Sequence, residues 1–166
     1  MRRLYHMPLS PFCRKIRLAL SEKKIEFDLV EEWVWERRID YLRYNPSGKV
    51  PSLRLDNVIL SESNAIFEYL EEAYPLPPLL PKLVSDKVEA RRLTYWFDDT
   101  FHGEVTSKLL YQRVYRRLSG SGQADSIVMK SGMEALKVYL GYLDQILDTR
   151  VWLAGDVMTI ADFAAA

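Results

Sequence analysis

Pro75, Pro77, Pro78 and Pro81 crowd into one short stretch, and no other feature constrains the folding of this chain as strongly. A proline has no amide proton to give and holds the residue before it in extended backbone, so neither a helix nor an interior strand crosses such a stretch. The apolar pattern changes at the same place. Short alternating runs and helical spacing interleave before it, whereas every strong pattern after it is helical. The chain therefore divides into an α/β domain over 1–76, a stiff linker over 77–83 and an all-α bundle over 84–166.

Within the first domain, Arg3-Leu4-Tyr5-His6-Met7 forms a strand, and Ser10 before Pro11 starts a helix that ends near Lys23. Ser is a favoured N-cap, and Pro loses nothing at the first helical position because that amide has no partner inside the helix. Phe27 and Leu29 alternate with acids over Glu26 to Glu32, which makes a second strand, parallel to the first across the helix. A Trp- and charge-rich segment, Trp33 to Tyr44, leads to the turn cluster Asn45-Pro46-Ser47-Gly48. Leu53 and Leu55, the turn Asp56-Asn57 and the returning Val58-Ile59-Leu60 give an antiparallel hairpin, so the sheet is mixed and four-stranded. Ile66, Tyr69, Leu70 and Ala73 then mark a helix to about Tyr74. In the second domain helical periods cover Val84 to about Leu118 and Ser126 to Asp148, on either side of Ser119-Gly120-Ser121-Gly122.

Lys plus Arg and Asp plus Glu number 23 each, and the balance holds within each half, so no basic field for nucleic acid arises. A single cysteine excludes an internal disulfide, and two histidines leave no ligand set for zinc, so no metal site is expected. His6, Pro8, Ser10 and Arg14 interrupt any signal core behind the basic start, and no apolar run suits a membrane span. A cytoplasmic protein without membrane or nucleic-acid partners is expected.

The chemistry concentrates at the first helix start. Ser10 and Cys13 place a hydroxyl and a thiol on the positive end of a helix, where free amides and the dipole stabilise a thiolate. Two readings of each stand open. Ser10 is a cap or a hydrogen-bond donor to sulfur; Cys13 is a redox thiol or, with Ile16 and Leu20 at helical spacing, an inert packed one.

Four motifs in order resemble the cytosolic glutathione transferase superfamily. Ser10-Pro11-Phe12-Cys13-Arg14-Lys15-Ile16-Arg17 is similar to its active-site helix, and Asn45-Pro46-Ser47-Gly48-Lys49-Val50-Pro51 to its loop before a cis-proline. Glu62-Ser63 matches its glutathione-binding pair, and Leu153-Ala154-Gly155-Asp156-Val157-Met158-Thr159-Ile160-Ala161-Asp162 its helix-capping signature. The resemblance implies a thioredoxin-like first domain, glutathione as co-substrate, a small electrophile as second substrate and a homodimer. Ser10 would donate to the glutathione sulfur, Val50 would pair with the cysteinyl backbone, Ser63 would take the glutamyl carboxylate, Glu62 its amino group and Lys49 the glycyl carboxylate. A thiol of pKa ~8.5 drops one unit for each ~1.4 kcal/mol. The helix end supplies roughly 0.3 to 2 kcal/mol and a hydrogen bond to the charged sulfur roughly 1.5 to 3. Together they ionise the thiol near neutral pH. Relatives of this kind continue past Ala166, so the helical domain is expected to be incomplete.

Other features have both structural and functional readings. Thr159 and Asp162 make a capping box, with Met158 and Phe163 placed as a hydrophobic staple. Tyr95, Trp96, Phe97, Phe101, Tyr111 and Tyr115 suit core packing, or the wall of an electrophile pocket. Arg113, Arg116 and Arg117 form a solvated basic face, and Asp98, Asp99 and His102 resemble a metal set only superficially. Trp33 and Trp35 among charges either pack the second helix or anchor a protein partner. With Arg2-Arg3-Leu4-Tyr5-His6-Met7-Pro8-Leu9-Ser10-Pro11, they also resemble the transferase-like adaptors of bacterial cell division, a subgroup implying a non-enzymatic scaffold for a division protein. The leading expectation is a glutathione transferase. The alternatives are that adaptor and a glutathione-dependent thiol reductase using Cys13.

Overall fold

Strand β1 (Arg2–His6) leads into helix α1 (Pro11–Glu22) and on to β2 (Asp28–Glu31) in the computed structural model, which describes residues 2–166. Met1, the first residue of the basic start, lies outside the described residues. A short 3-10 turn, Val34–Glu36, and helix α2 (Ile39–Leu42) precede the hairpin of β3 (Ser52–Leu55) and β4 (Val58–Ser61), and α3 (Ser63–Ala73) completes the unit. The sheet order is β2-β1-β3-β4, with β1 parallel to β2 and antiparallel to β3. β2 is shorter than the alternation from Glu26 suggested: its pairing with β1 begins at Asp28, opposite Arg3, and ends at Glu31, opposite His6.

One sheet face is apolar. Leu4 and Leu53, Ile16 and Leu20 of α1, and Ile66 and Leu70 of α3 are all at 0% exposure, and α3 packs against both α1 and the hairpin. Each such side chain contributes roughly 1.5 to 3 kcal/mol by leaving water. The other face carries Tyr5, whose ring lies 5.5 Å from that of Tyr41 and 5.8 Å from that of Tyr44. Lys23, at the C-cap of α1, has its Nζ 2.6 Å from Glu71 Oε1 and donates to the carbonyls of Tyr74 at 2.7 Å and Pro77 at 2.9 Å. Glu71 in turn accepts the Leu79 amide at 3.2 Å. This buried knot holds the exit of α3, where Leu76-Pro77 is cis.

Two compact units meet in sequence at Pro81 and Lys82, inside the proline-rich stretch. In the second, helix α4 (Val84–Trp96) continues as a π-helical run, Phe97–Thr106, then α5 (Ser107–Leu110), a π turn at Tyr111–Tyr115, and α6 (Arg116–Leu118). The expected helix is present over its whole length, but a count of 3.6-residue periods does not see the wider turns. Helix α7 (Ser126–Leu147) is capped by Asp125, whose carboxylate accepts from Ile127 and Val128 at 2.9 and 3.2 Å. It lies close to α5 because Gly132 has no side chain: a Cβ there would sit 2.9 Å from Lys108 Cβ.

Helix α8 (Ile160–Ala165) begins at the capping box. Asp162 accepts from the Thr159 amide at 2.7 Å and hydroxyl at 3.2 Å, and Thr159 Oγ1 accepts from Ala161 at 3.3 Å. Asp162 also takes the Leu153 amide at 3.0 Å, so it ties the preceding loop to the helix as well.

Glu89 of α4 faces Arg92 at 2.7 Å and Arg150 at 2.8 Å. The Arg92 hydrogen bond, then that of Arg150, holds its carboxyl well down, to about 2, against the opposing effect of burial. Its folded pKa lies below the unfolded value of ~4.3. Its contribution to stability is therefore present above the unfolded pKa and is lost as pH falls from about 5 towards 2. Glu89→Gln should flatten thermal stability against pH in that window and leave the profile above pH 6 parallel to wild type, as read by melting curves.

Candidate functional site

Register brings the separate motifs of the first unit to one edge of its sheet. β3 starts where β1 ends, with Ser52 opposite Tyr5, and β4 ends where β3 starts, with Ser61 opposite Ser52. The loop after β1 with Ser10, the bend before β3 with Lys49, Val50 and Pro51, and Glu62-Ser63 after β4 therefore leave the sheet at the same edge. β2 ends there too, since Glu31 pairs with His6, and Trp33 follows it. In open sheets with parallel strands, ligands bind at such an edge.

Ser10 is the N-cap of α1, with Pro11 behind it, and is 4% exposed. Its Oγ accepts from the Cys13 amide at 3.3 Å, so capping is part of its role. Cys13 is 0% exposed. Burial pushes its thiol up, outweighing the opposing hydrogen bonds of the Ser10 hydroxyl and Met7 backbone and the charge of Arg17. The cysteine packs with Ile16 and Leu20, as the helical spacing allows. In the folded protein Cys13 should react with iodoacetamide far more slowly than in urea, a difference that mass spectrometry reads directly; equal rates would contradict this burial.

Val50-Pro51 is cis, and Val50 lies just outside the ladder, which begins at Ser52. Lys49 is exposed. Glu62 is exposed and held at φ 68°, in the left-handed region that costs an ordinary side chain of the order of 1 to 3 kcal/mol. It occupies the N-cap position of α3 but makes no side-chain cap bond, so capping does not explain it. Ser63 opens the helix and is buried.

Buried polar side chains to which the sequence motifs assign no role support this edge. Lys15, fully buried in α1, donates to Asn64 Oδ1 at 2.8 Å and so ties α1 to the first turn of α3. Tyr41, Asn45 and Ser52 are buried behind the Lys49 bend. A charged or polar residue at an apolar position of a helical or strand pattern, such as Lys15 beside Ile16, is the signal that could have found them.

Trp33 and Trp35 are both half-buried, with their rings 5.1 Å apart, so each packs against the other. The preceding Glu32 has its side chain 1% exposed and receives Arg38 Nε at 3.1 Å and Nη2 at 2.8 Å, closing the Trp loop. In the second unit Trp96, Phe97 and Phe101 pack with Tyr139 and Tyr142 as a mutual cluster, while Tyr95 points to solvent. Arg116 departs from the expected solvated face, donating to Gln112 Oε1 at 3.3 Å and Ser121 O at 3.1 Å. Among the described residues no group of His, Cys, Asp or Glu could hold a metal ion, and no helix is long and apolar enough to cross a membrane.

Comparison with known proteins agrees with this arrangement. A glutathione S-transferase N-terminal domain model matches residues 4–78, and a glutathione S-transferase C-terminal domain model matches 100–166. The chain is 42% identical to FtsZ-localized protein A of Caulobacter vibrioides, over 99% of its own length and 74% of that protein. It is 33% identical to glutathione S-transferase 3 of Zea mays, covering 96% and 73%. Among solved structures, a glutathione S-transferase from Rhodospirillum rubrum superposes with TM-score 0.97 at 42% identity, covering 99% and 75%, and FzlA from C. crescentus with 0.95 at 41%, covering 99% and 74%. The two domain models together match most of the chain, and relatives at 33 and 42% identity are covered to about three quarters of their length, so the chain belongs to the glutathione S-transferase family.

Proposed function

We propose that the first unit binds glutathione along the edge formed by Ser10, Val50 and Glu62-Ser63, and that the chain conjugates it to a small electrophile. The observation that carries this reading is the convergence of those three segments on one sheet edge. Ser63 and the amides of α3 receive the glutamyl carboxylate, and Glu62 its amino group. Val50 pairs with the cysteinyl backbone as an added strand would, and Lys49 meets the glycyl carboxylate. The Ser10 hydroxyl donates to the sulfur. The thiol proton leaves to solvent, a sulfur lone pair forms the new C–S bond, and the leaving group departs with its electron pair. Homodimerisation and a cytoplasmic setting belong to the same proposal.

A second reading, a scaffold of bacterial cell division that associates with FtsZ, is favoured by two observations. One is the 42% identity to FtsZ-localized protein A across nearly the whole chain. The other is that Ser10 is buried with its oxygen on the Cys13 amide, a resting geometry that suits a structural cap. The burial of Cys13 speaks against the thiol reductase. Titration calorimetry with glutathione tests the first reading and co-sedimentation with FtsZ polymers the second. Binding in the micromolar to millimolar range, with turnover of an aromatic halide, supports conjugation. No heat at saturating glutathione together with pelleting on FtsZ replaces it by the scaffold.

A further inference from the structure

Buried side chains from α2 and the turn after it meet at a single backbone carbonyl, and hydroxyls of the hairpin meet those side chains in turn. Tyr41, 2% exposed, donates its hydroxyl proton to Lys49 O, and Asn45 Nδ2 donates to the same oxygen at 2.8 Å. Asn45 Nδ2 also reaches Ser52 Oγ at 3.3 Å, which lies 2.9 Å from the Tyr41 hydroxyl and 3.1 Å from Ser61 Oγ. The protons can be assigned. A carbonyl only accepts, so the one Tyr41 proton goes to Lys49 O; Ser52 then donates to the Tyr41 oxygen and accepts from Asn45 and Ser61. Ser52 is 0% and Asn45 5% exposed, so water does not substitute for these partners.

Such a network does more than hold a turn. The Lys49-Val50 peptide is not among the cis bonds of the chain, so it is planar and trans, with its N–H pointing opposite to its C=O. Two buried donors draw the carbonyl of that peptide inward. The Val50 N–H is thereby turned outward, to the side from which a ligand arrives. We infer that Tyr41 and Asn45 are positioning residues that aim the Val50 amide at the cysteinyl carbonyl of glutathione, with Ser52 and Ser61 fixing the rotamers of both. Asn45 has a further hold on the bend: its Oδ1 accepts from the Ser47 amide at 3.2 Å and hydroxyl at 2.9 Å, and Ser47 Oγ accepts from the Lys49 amide at 3.2 Å. The inference rests on the glutathione reading for its ligand, but the aiming itself is a property of the free protein.

Tyr41→Phe is the test, because it removes the donor and keeps the ring that packs on Tyr5. In isotope-labelled protein the Lys49 carbonyl and Val50 amide resonances should both shift while those of β1 and β2 stay in place. Calorimetry with S-methylglutathione should show Kd rising about tenfold, the equivalent of one lost hydrogen bond. The pH at which bound glutathione ionises, followed by thiolate absorbance, should remain that of wild type, since Ser10 is untouched; a general loosening of the fold would move it. Unmoved Lys49 and Val50 resonances, or a Kd within about twofold of wild type, overturn the inference and leave the glutathione reading intact. Resonances that shift while neither protein binds S-methylglutathione sink that reading and uphold the aiming geometry alone.

Discussion

Ser10→Ala should lower kcat/KM for conjugation at pH 7 by roughly 10- to 100-fold, the loss expected when one hydrogen bond to a charged sulfur, roughly 1.5 to 3 kcal/mol, is removed. The donor favours the thiolate, so its removal raises the thiol pKa by about one to two units. The deficit should therefore shrink as pH rises and the thiol ionises unaided, and the acid limb of the pH–rate profile should move to higher pH. The same change deletes the cap that accepts the Cys13 amide, at a cost of about 1 kcal/mol in stability. Ser10→Thr keeps both functions and should restore most of the rate. Full activity of folded Ser10→Ala at pH 7 would leave this residue a cap and nothing more, and would turn the argument towards the scaffold.

The largest stability effect should come from Lys23→Met. Lys23 is buried and serves Glu71 and two carbonyls at once, so its removal strands a mostly buried carboxylate. Breaking such a pair from one side typically costs about 3 to 5 kcal/mol. That is a large share of the stability of a small domain, and urea denaturation should show the first unit unfolding at much lower denaturant. Lys23→Met with Glu71→Leu should recover the part of the loss that lies in the stranded charge, but not the part that lies in the hydrogen bonds to Tyr74, Pro77 and Leu79. A single variant as stable as wild type would show that Glu71 reaches water and that the knot is not a buried one.

Where a local rule decides a feature, the sequence carried it. Ser10-Pro11 starts α1, Asp56-Asn57 turns the hairpin and Thr159 with Asp162 caps α8, because caps, prolines and turns act within a few residues of themselves. Cys13 is intermediate: its spacing with Ile16 and Leu20 allowed a packed thiol or a reactive one, and only burial separates them. The Trp pair is intermediate for the same reason: charged neighbours left Trp33 and Trp35 open to packing or to partner contact, and in the fold the two rings pack on each other while the loop closes through Glu32 and Arg38. Lys15 stood in the helix motif without a role of its own, and Tyr41 and Ser52 stood in none, since a buried polar side chain is explained only by partners that the folded chain brings to it.

The chain's own order of residues determined a sheet-bearing half and a helical half, the places where helices begin, and the family motifs on which the site is built, all of them consequences of short-range backbone chemistry and hydrophobic period. Tertiary structure alone decided which way the peptide before Val50 faces, that Glu62 sits at a positive φ outside any cap, and that Ser10 rests with its oxygen on an amide. Those outcomes depend on strand register and on hydrogen bonds between distant elements, where direction, and not composition, sets the energy.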